Sequence, residues 1–184
     1  MWHSDRPLTQ QRLSLSLASL VPSLQRSLFI PFLTAFWLTI TREWSMIPSL
    51  RLDKFLFLIR AYVNAGFAYL AHLKWKDGLL EEYVDLMKQV PLSVENLKVS
   101  DGLRYHVLDV WVDELLKITG ENLKGCPVEK IMEPVGDLAI RGKTKPLRKR
   151  AKETLGDERL PRKGEEDAAD KCDEGDRAFQ GFQE

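Results

Sequence analysis

From Leu52 to Leu70, apolar side chains stand at Leu52, Phe55, Leu56, Ile59, Val63, Phe67 and Leu70, a helical spacing held for about five turns. The stretch opens on RLDKFLFLIR (51–60), whose five consecutive apolar residues, taken alone, would also suit a buried strand. Strands seldom run beyond about ten residues, so a stripe of this length selects a helix. Phe57 and Leu58 add apolar surface on the opposite side, so the helix is buried on more than one face. Such a helix belongs in the middle of a layered, all-α stack. The charged triplet before it then opens that helix.

The flanking sequence repeats the pattern. Leu13, Leu17, Leu20 and Val21 form a short stripe, and Leu33, Phe36, Trp37, Ile40, Trp44 and Ile47 form a second buried face. Pro48-Ser49 interrupts it, with Ser49 expected as the N-cap of the long helix. Asp77-Gly78 marks a turn and Asp77 a cap for the next helix, with Leu79, Tyr83, Leu86, Met87 and Val90 inward until Pro91 ends it. Leu103, Val107, Val110, Trp111, Leu115 and Ile118 define another helix, stopped by Gly120. Pro127 opens a weaker one that runs through Ile140. The expectation is an all-α, helical-repeat-like domain of about six helices over residues 1–140, without a strict sequence repeat.

Beyond Ile140 the apolar pattern collapses and charge segregates. Residues 141–152 hold seven cations and no anion, whereas 164–176 hold seven anions and one cation. Segregated blocks predict a charged, largely disordered tail over 141–184, with at most a basic helical turn. Cys126 and Cys172 give neither a disulfide framework nor metal spacing, which suits a reducing compartment. The apolar run 27–41 is too short to span a bilayer and contains Pro31, so no membrane association is expected.

The sequence is poor in reactive constellations. His3, His72 and His106 stand far apart; His106 shares a helix face with Asp109, but no serine or cysteine is placed to be activated. Acidic pairs such as Glu81-Glu82 and Asp113-Glu114 fall on polar helix faces, where charges belong anyway. GDLAIRGKT (136–144) has five residues between its glycines, one too many for a phosphate-binding loop, and follows a helix instead of a strand. No catalytic residue, metal, cofactor or small-molecule substrate is expected. Trp37, Trp44 and Trp111 fall on core stripes, leaving Trp75, between Lys74 and Lys76, as the one tryptophan in a setting that suits base stacking. The stronger lead is the basic run itself. Arg141, Lys143, Lys145, Arg148, Lys149, Arg150 and Lys152 are candidates for phosphate contact or nuclear import.

Four stretches carry a family resemblance: AFWLTITREW (35–44), LRLDKFLFLIR (50–60), YHVLDVWVDEL (105–115) and LRKRAKETLGDERL (147–160). In this order and at these separations they resemble the nucleolar family called ribosomal RNA processing protein one. The opening MWHSDRPLTQQ (1–11) also resembles a family stretch, one that lies well inside the domain, so the resemblance implies a chain that starts after the family's first helices. Leu13, Leu17 and Leu33 would then be left partly exposed.

The resemblance implies an all-α scaffold in the nucleus and nucleolus. Its partner would be a preribosomal particle, with precursor ribosomal RNA and other assembly factors; the large-subunit precursor is favoured. It implies that Arg42, Glu43, Trp44, Arg51, Asp53 and Lys54 are structural or partner-facing. Among them Asp53 would suit the helix dipole, Arg51 would pair with Glu43, and Lys54 would face a partner. The alternatives are a general nuclear interaction scaffold with an import tail and, third, an RNA-cleaving enzyme.

Overall fold

The computed structural model describes residues 6–123 and 125–161 of the 184. They form seven α-helices and two short 3₁₀ turns, with no strand among the described residues. In chain order the helices are α1 (Pro7–Ala18), α2 (Arg26–Glu43), α3 (Ser49–His72), α4 (Asp77–Gln89), α5 (Asp101–Thr119), α6 (Val128–Arg141) and α7 (Lys145–Leu155). The predicted central helix is α3, 24 residues long.

The helices alternate between two layers. In one layer, Tyr62 and Tyr69 of α3 donate their hydroxyls to Leu17 O and Leu24 O at the end of α1 and just beyond it. His106 of α5 bonds Leu56 O of α3, and Arg150 of α7 bonds Asp109 of α5. Contacts between residues that ascend together on both partners make α1, α3, α5 and α7 parallel neighbours. In the other layer, Phe29 of α2 stacks near Tyr83 of α4, and Lys88 of α4 holds Glu133 of α6. The sequence offsets across these contacts are 45, 50, 41 and 45 residues. An offset near 45 is the period of a stacked helix-pair solenoid, so the repeat exists in space although no residue pattern repeats in sequence.

Packing follows from the apolar stripes. Phe67 stands edge-on to Trp111 at 5.0 Å and to Tyr83 at 6.0 Å, joining α3, α5 and α4 at the centre. Phe36 stacks on Tyr62 at 3.6 Å and Phe29 on Tyr69 at 4.2 Å, tying α2 to α3. Each such ring pair contributes about 0.5–1.5 kcal/mol beyond its area burial. Gly66 of α3 lets the Tyr83 side chain of α4 lie against the helix: a Cβ there would stand 3.0 Å from the Tyr83 ring. Gly120 ends α5 at φ +76°, the left-handed conformation that its missing Cβ permits.

Several local expectations are corrected. Pro48, not Ser49, is the N-cap of α3, and Lys76 precedes an α4 that begins at Asp77. Pro127 caps α6, which begins one residue later than predicted and buries Ile131, Met132, Val135 and Leu138. In α1 the buried edge is Ser14 and Ala18, small residues that allow close approach to α3, while Leu13 and Leu17 are half-buried. Leu33, expected to be partly exposed, is fully buried. The largest correction is α7. Lys145–Leu155 is a packed helix where the sequence predicts tail, because Leu147 and Ala151, four residues apart, dock into the stack. Leu160 is also buried, so the ordered structure extends well past residue 140. The acidic run 164–176 lies outside the described residues.

Candidate nucleic-acid interface

The seven cations of 141–152 are divided by α7 into two populations. Thr144 caps the helix, its Oγ1 accepting the Leu147 N–H at 3.3 Å and donating to Asp101 Oδ2 at 3.1 Å. Pro146 stands in the first turn, where a missing N–H costs nothing. With Leu147 and Ala151 turned into the stack, the remaining register is fixed.

The inward population is arginine-rich and meets carboxylates and carbonyls. Arg150 Nε donates to Asp109 Oδ1 at 2.6 Å, which raises the arginine's pKa. Arg141 pairs with Glu95 at 3.1 Å, and Lys143 Nζ reaches Glu95 O at 3.3 Å. Arg148 Nη1 donates to Gly142 O at 2.6 Å and Lys143 O at 3.3 Å, bracing the elbow between α6 and α7. Just past the helix, Arg159 joins Asp113 at 3.0 Å and Asp157 at 2.7 Å; its side-chain bond holds the Asp157 carboxyl below the usual range. One face of α5 thus presents Asp101, Asp109 and Asp113 as a ladder for the C-terminal segment.

The outward population is lysine. Lys145, Lys149 and Lys152 recur at helical spacing on the exposed side of α7 and, with Arg148 and Glu153, line a shallow concavity. Lys149 lies 3.7 Å from Glu153, a loose i,i+4 pair with the lysine side chain 78% exposed. Lys145 and Lys152 make no ion pair with a described residue.

Other sequence candidates fare differently. Arg42 and Glu43 pair with each other at 2.6 Å on the surface. Trp44 is half-buried with its indole nitrogen beside Gly102 at the start of α5. Asp53 is exposed but sits beyond the first turn of α3, away from the strongest part of the dipole. Lys54, expected to face a partner, is only 4% exposed, because α3 is covered by neighbours on several sides. Trp75 is buried at φ +53° and supplies no stacking face.

His106 is half-buried between α5 and α3: burial lowers its pKa, and its Nε2 bonds Leu56 O at 2.8 Å. Asp109, which shares its helix face, accepts from Arg150. Burial pushes the Cys126 thiol up to about 12, leaving it inert. The described residues contain no cluster suited to a metal ion, and none of their helices is long and apolar enough to cross a membrane.

Sequence reasoning missed the buried anchors of the site. Glu114, 2% exposed, binds Arg60 Nε, Asn64 at 3.0 Å and Lys117 at 2.6 Å. Arg104, 6% exposed, donates to Ser93 O, Asn96 O and Val99 O and pairs with Asp101 at 2.9 Å. That guanidinium fixes the loop before α5 and thereby places Glu95 and Asp101 for the C-terminal segment.

A parallel stack of helix pairs, with a lysine edge on α7, defines an all-α helical-repeat fold. Residues 1–181 match the family model described as Nucleolar protein, Nop52, and the chain belongs to that nucleolar family. It is 33% identical over 144 residues to human Ribosomal RNA processing protein 1 homolog B, covering 78% of this chain and 19% of that protein. The same identity over 144 residues relates it to human Ribosomal RNA processing protein 1 homolog A, with 78% and 31% covered. The Drosophila melanogaster Ribosomal RNA processing protein 1 homolog is 32% identical over 136 residues, with 73% and 20% covered. The chain spans less than a third of the length of these three relatives.

Proposed function

We propose that this chain is a non-enzymatic assembly factor in precursor ribosomal RNA processing, docking within a preribosomal particle and favouring the large-subunit precursor. Membership of a nucleolar family with relatives named for ribosomal RNA processing is the observation that carries this reading. The fold supplies what such a role asks for. A stacked scaffold presents extended surfaces to partners, and α7 offers cations at one edge. No reacting group is required of it; what it contributes is binding and position.

The nuclear-import reading of the basic run is weakened by the structure, because Arg148 and Arg150 are tied into the fold and not displayed along an extended segment. The test is to tag the protein in its own cells and probe the RNA that co-purifies for ribosomal precursors. Recovery of large-subunit precursors supports the proposal. Intact, soluble protein that recovers none overturns it.

A further inference from the structure

We propose that Lys145, Lys149 and Lys152, with Arg148 at their base, form a phosphodiester-binding site that takes RNA by its backbone and without sequence preference. The inference deepens the proposed function and rests on it for the choice of RNA as the polyanion.

Four observations converge on this face. Among the described residues its three lysines have no partner but the loose Lys149–Glu153 pair, whereas Arg141, Arg150 and Arg159 are already paired with carboxylates. It is held in shape before any ligand arrives, by Leu147 and Ala151 in the stack and by Arg148 on the carbonyls of Gly142 and Lys143. Stability does not explain the charges. Lys145 opens α7, and the first turn contains no acid, an arrangement that opposes the helix dipole. Finally, an exposed helix face needs only polar residues, which mixed charge would satisfy. This concavity instead sets four cations against Glu153 alone.

The geometry also defines what is read. At about 1.5 Å rise per residue, the three lysines are spaced by about 6 Å and 4.5 Å along the helix. Flexible ammonium groups at such intervals can follow neighbouring phosphates of one strand. Residues 141–160 contain no aromatic side chain, so no stacking platform contributes and base identity goes unread.

The experiment measures fluorescence anisotropy of a labelled 20-nucleotide poly(U) RNA with the purified full chain at several salt concentrations. Three proteins are compared: wild type, the triple variant Lys145→Glu/Lys149→Glu/Lys152→Glu, and a charge-matched control, Lys74→Glu/Lys76→Glu/Lys98→Glu, at exposed positions elsewhere. Circular dichroism confirms that all three are helical. The site predicts at least a tenfold loss of affinity for the α7 variant and near-wild-type binding for the control. Neutral Lys→Gln replacements at the three α7 positions should lower the log K against log salt slope by about 2, at about 0.7 per phosphate contact on a single strand.

Equal losses in the α7 variant and the control, or no RNA binding by wild type, overturn the site. So does saturable binding of an acidic peptide to the α7 face without any RNA binding, which would make the partner a protein. Precursor co-purification in cells reads the assembly role separately, so wild-type recovery of precursors alongside failure in vitro removes the site and leaves that role standing.

Discussion

The two faces of α7 come from one uninterrupted run of cations, yet one is part of the fold and the other is free to act. The inward face meets the carboxylates of α5 and the elbow carbonyls through Arg150 and Arg148. The outward face holds lysines with a single weak pair, that of Lys149 with Glu153. The residue types suit the division. A guanidinium offers a rigid fork for fixed acceptors, whereas an ammonium on a flexible stem suits a mobile polyanion. The comparison teaches that charge density in sequence is not a measure of available charge; the fold spends part of it internally.

Breaking the charges tied into the fold should cost stability, beginning with the most buried carboxylate, Glu114, at the α3–α5 junction. Glu114→Ala removes a buried acceptor from Arg60 and Asn64, leaving Arg60 with Asp113 and solvent, and should lower unfolding free energy by about 1–3 kcal/mol, read from the urea midpoint. Leu147→Ala removes the main apolar anchor of α7 and should cost about 3 kcal/mol in the same measurement, with α7 loosened preferentially.

A pH prediction sharpens the contrast between buried and exposed charge. Burial lowers the folded pKa of His106 below its ordinary 6.5, so the folded state favours the neutral ring. Its contribution is complete above the unfolded value and declines as pH falls from 6.5 through the folded value, because the unfolded chain binds the proton first. Thermal melts between pH 7.5 and 5.5 should therefore show wild type losing more stability than His106→Gln; parallel curves would contradict this.

Smaller effects separate the two faces directly. Arg150→Gln breaks a half-exposed pair with Asp109 and should cost about 0.5–1 kcal/mol by chemical denaturation. Lys145→Gln/Lys149→Gln/Lys152→Gln should move stability by no more than about 0.5 kcal/mol while weakening RNA binding. A large stability loss from the lysines would erase the distinction.

Much of the fold was legible because helical periodicity is a local signal. The stripes from Leu33 to Leu70 and from Leu103 to Ile118 report their own burial, and Gly120 its own turn. The α7 segment was not legible: only Leu147, Ala151 and Leu160 are apolar and buried there, too few to form a stripe amid the charges. Its partners Glu95, Asp109 and Asp113 lie 41 to 46 residues upstream and look like ordinary surface acids. Lys54 and Trp75 misled for a related reason. Flanking charges suggested exposure, but burial is decided by helices packed from elsewhere in the chain. The basic run was found at once, whereas its division into two faces required knowing which side of α7 meets α5.

The most direct test of the account is hydrogen–deuterium exchange at the backbone amides of residues 148–155, compared with those of α5. The account predicts that α7 is protected as a docked helix, that Lys145→Gln/Lys149→Gln/Lys152→Gln leaves this protection intact, and that Leu147→Ala abolishes it ahead of α5. Exchange of these amides at unfolded-chain rates in the wild-type protein would return the whole basic run to a tail and contradict the division on which the site depends.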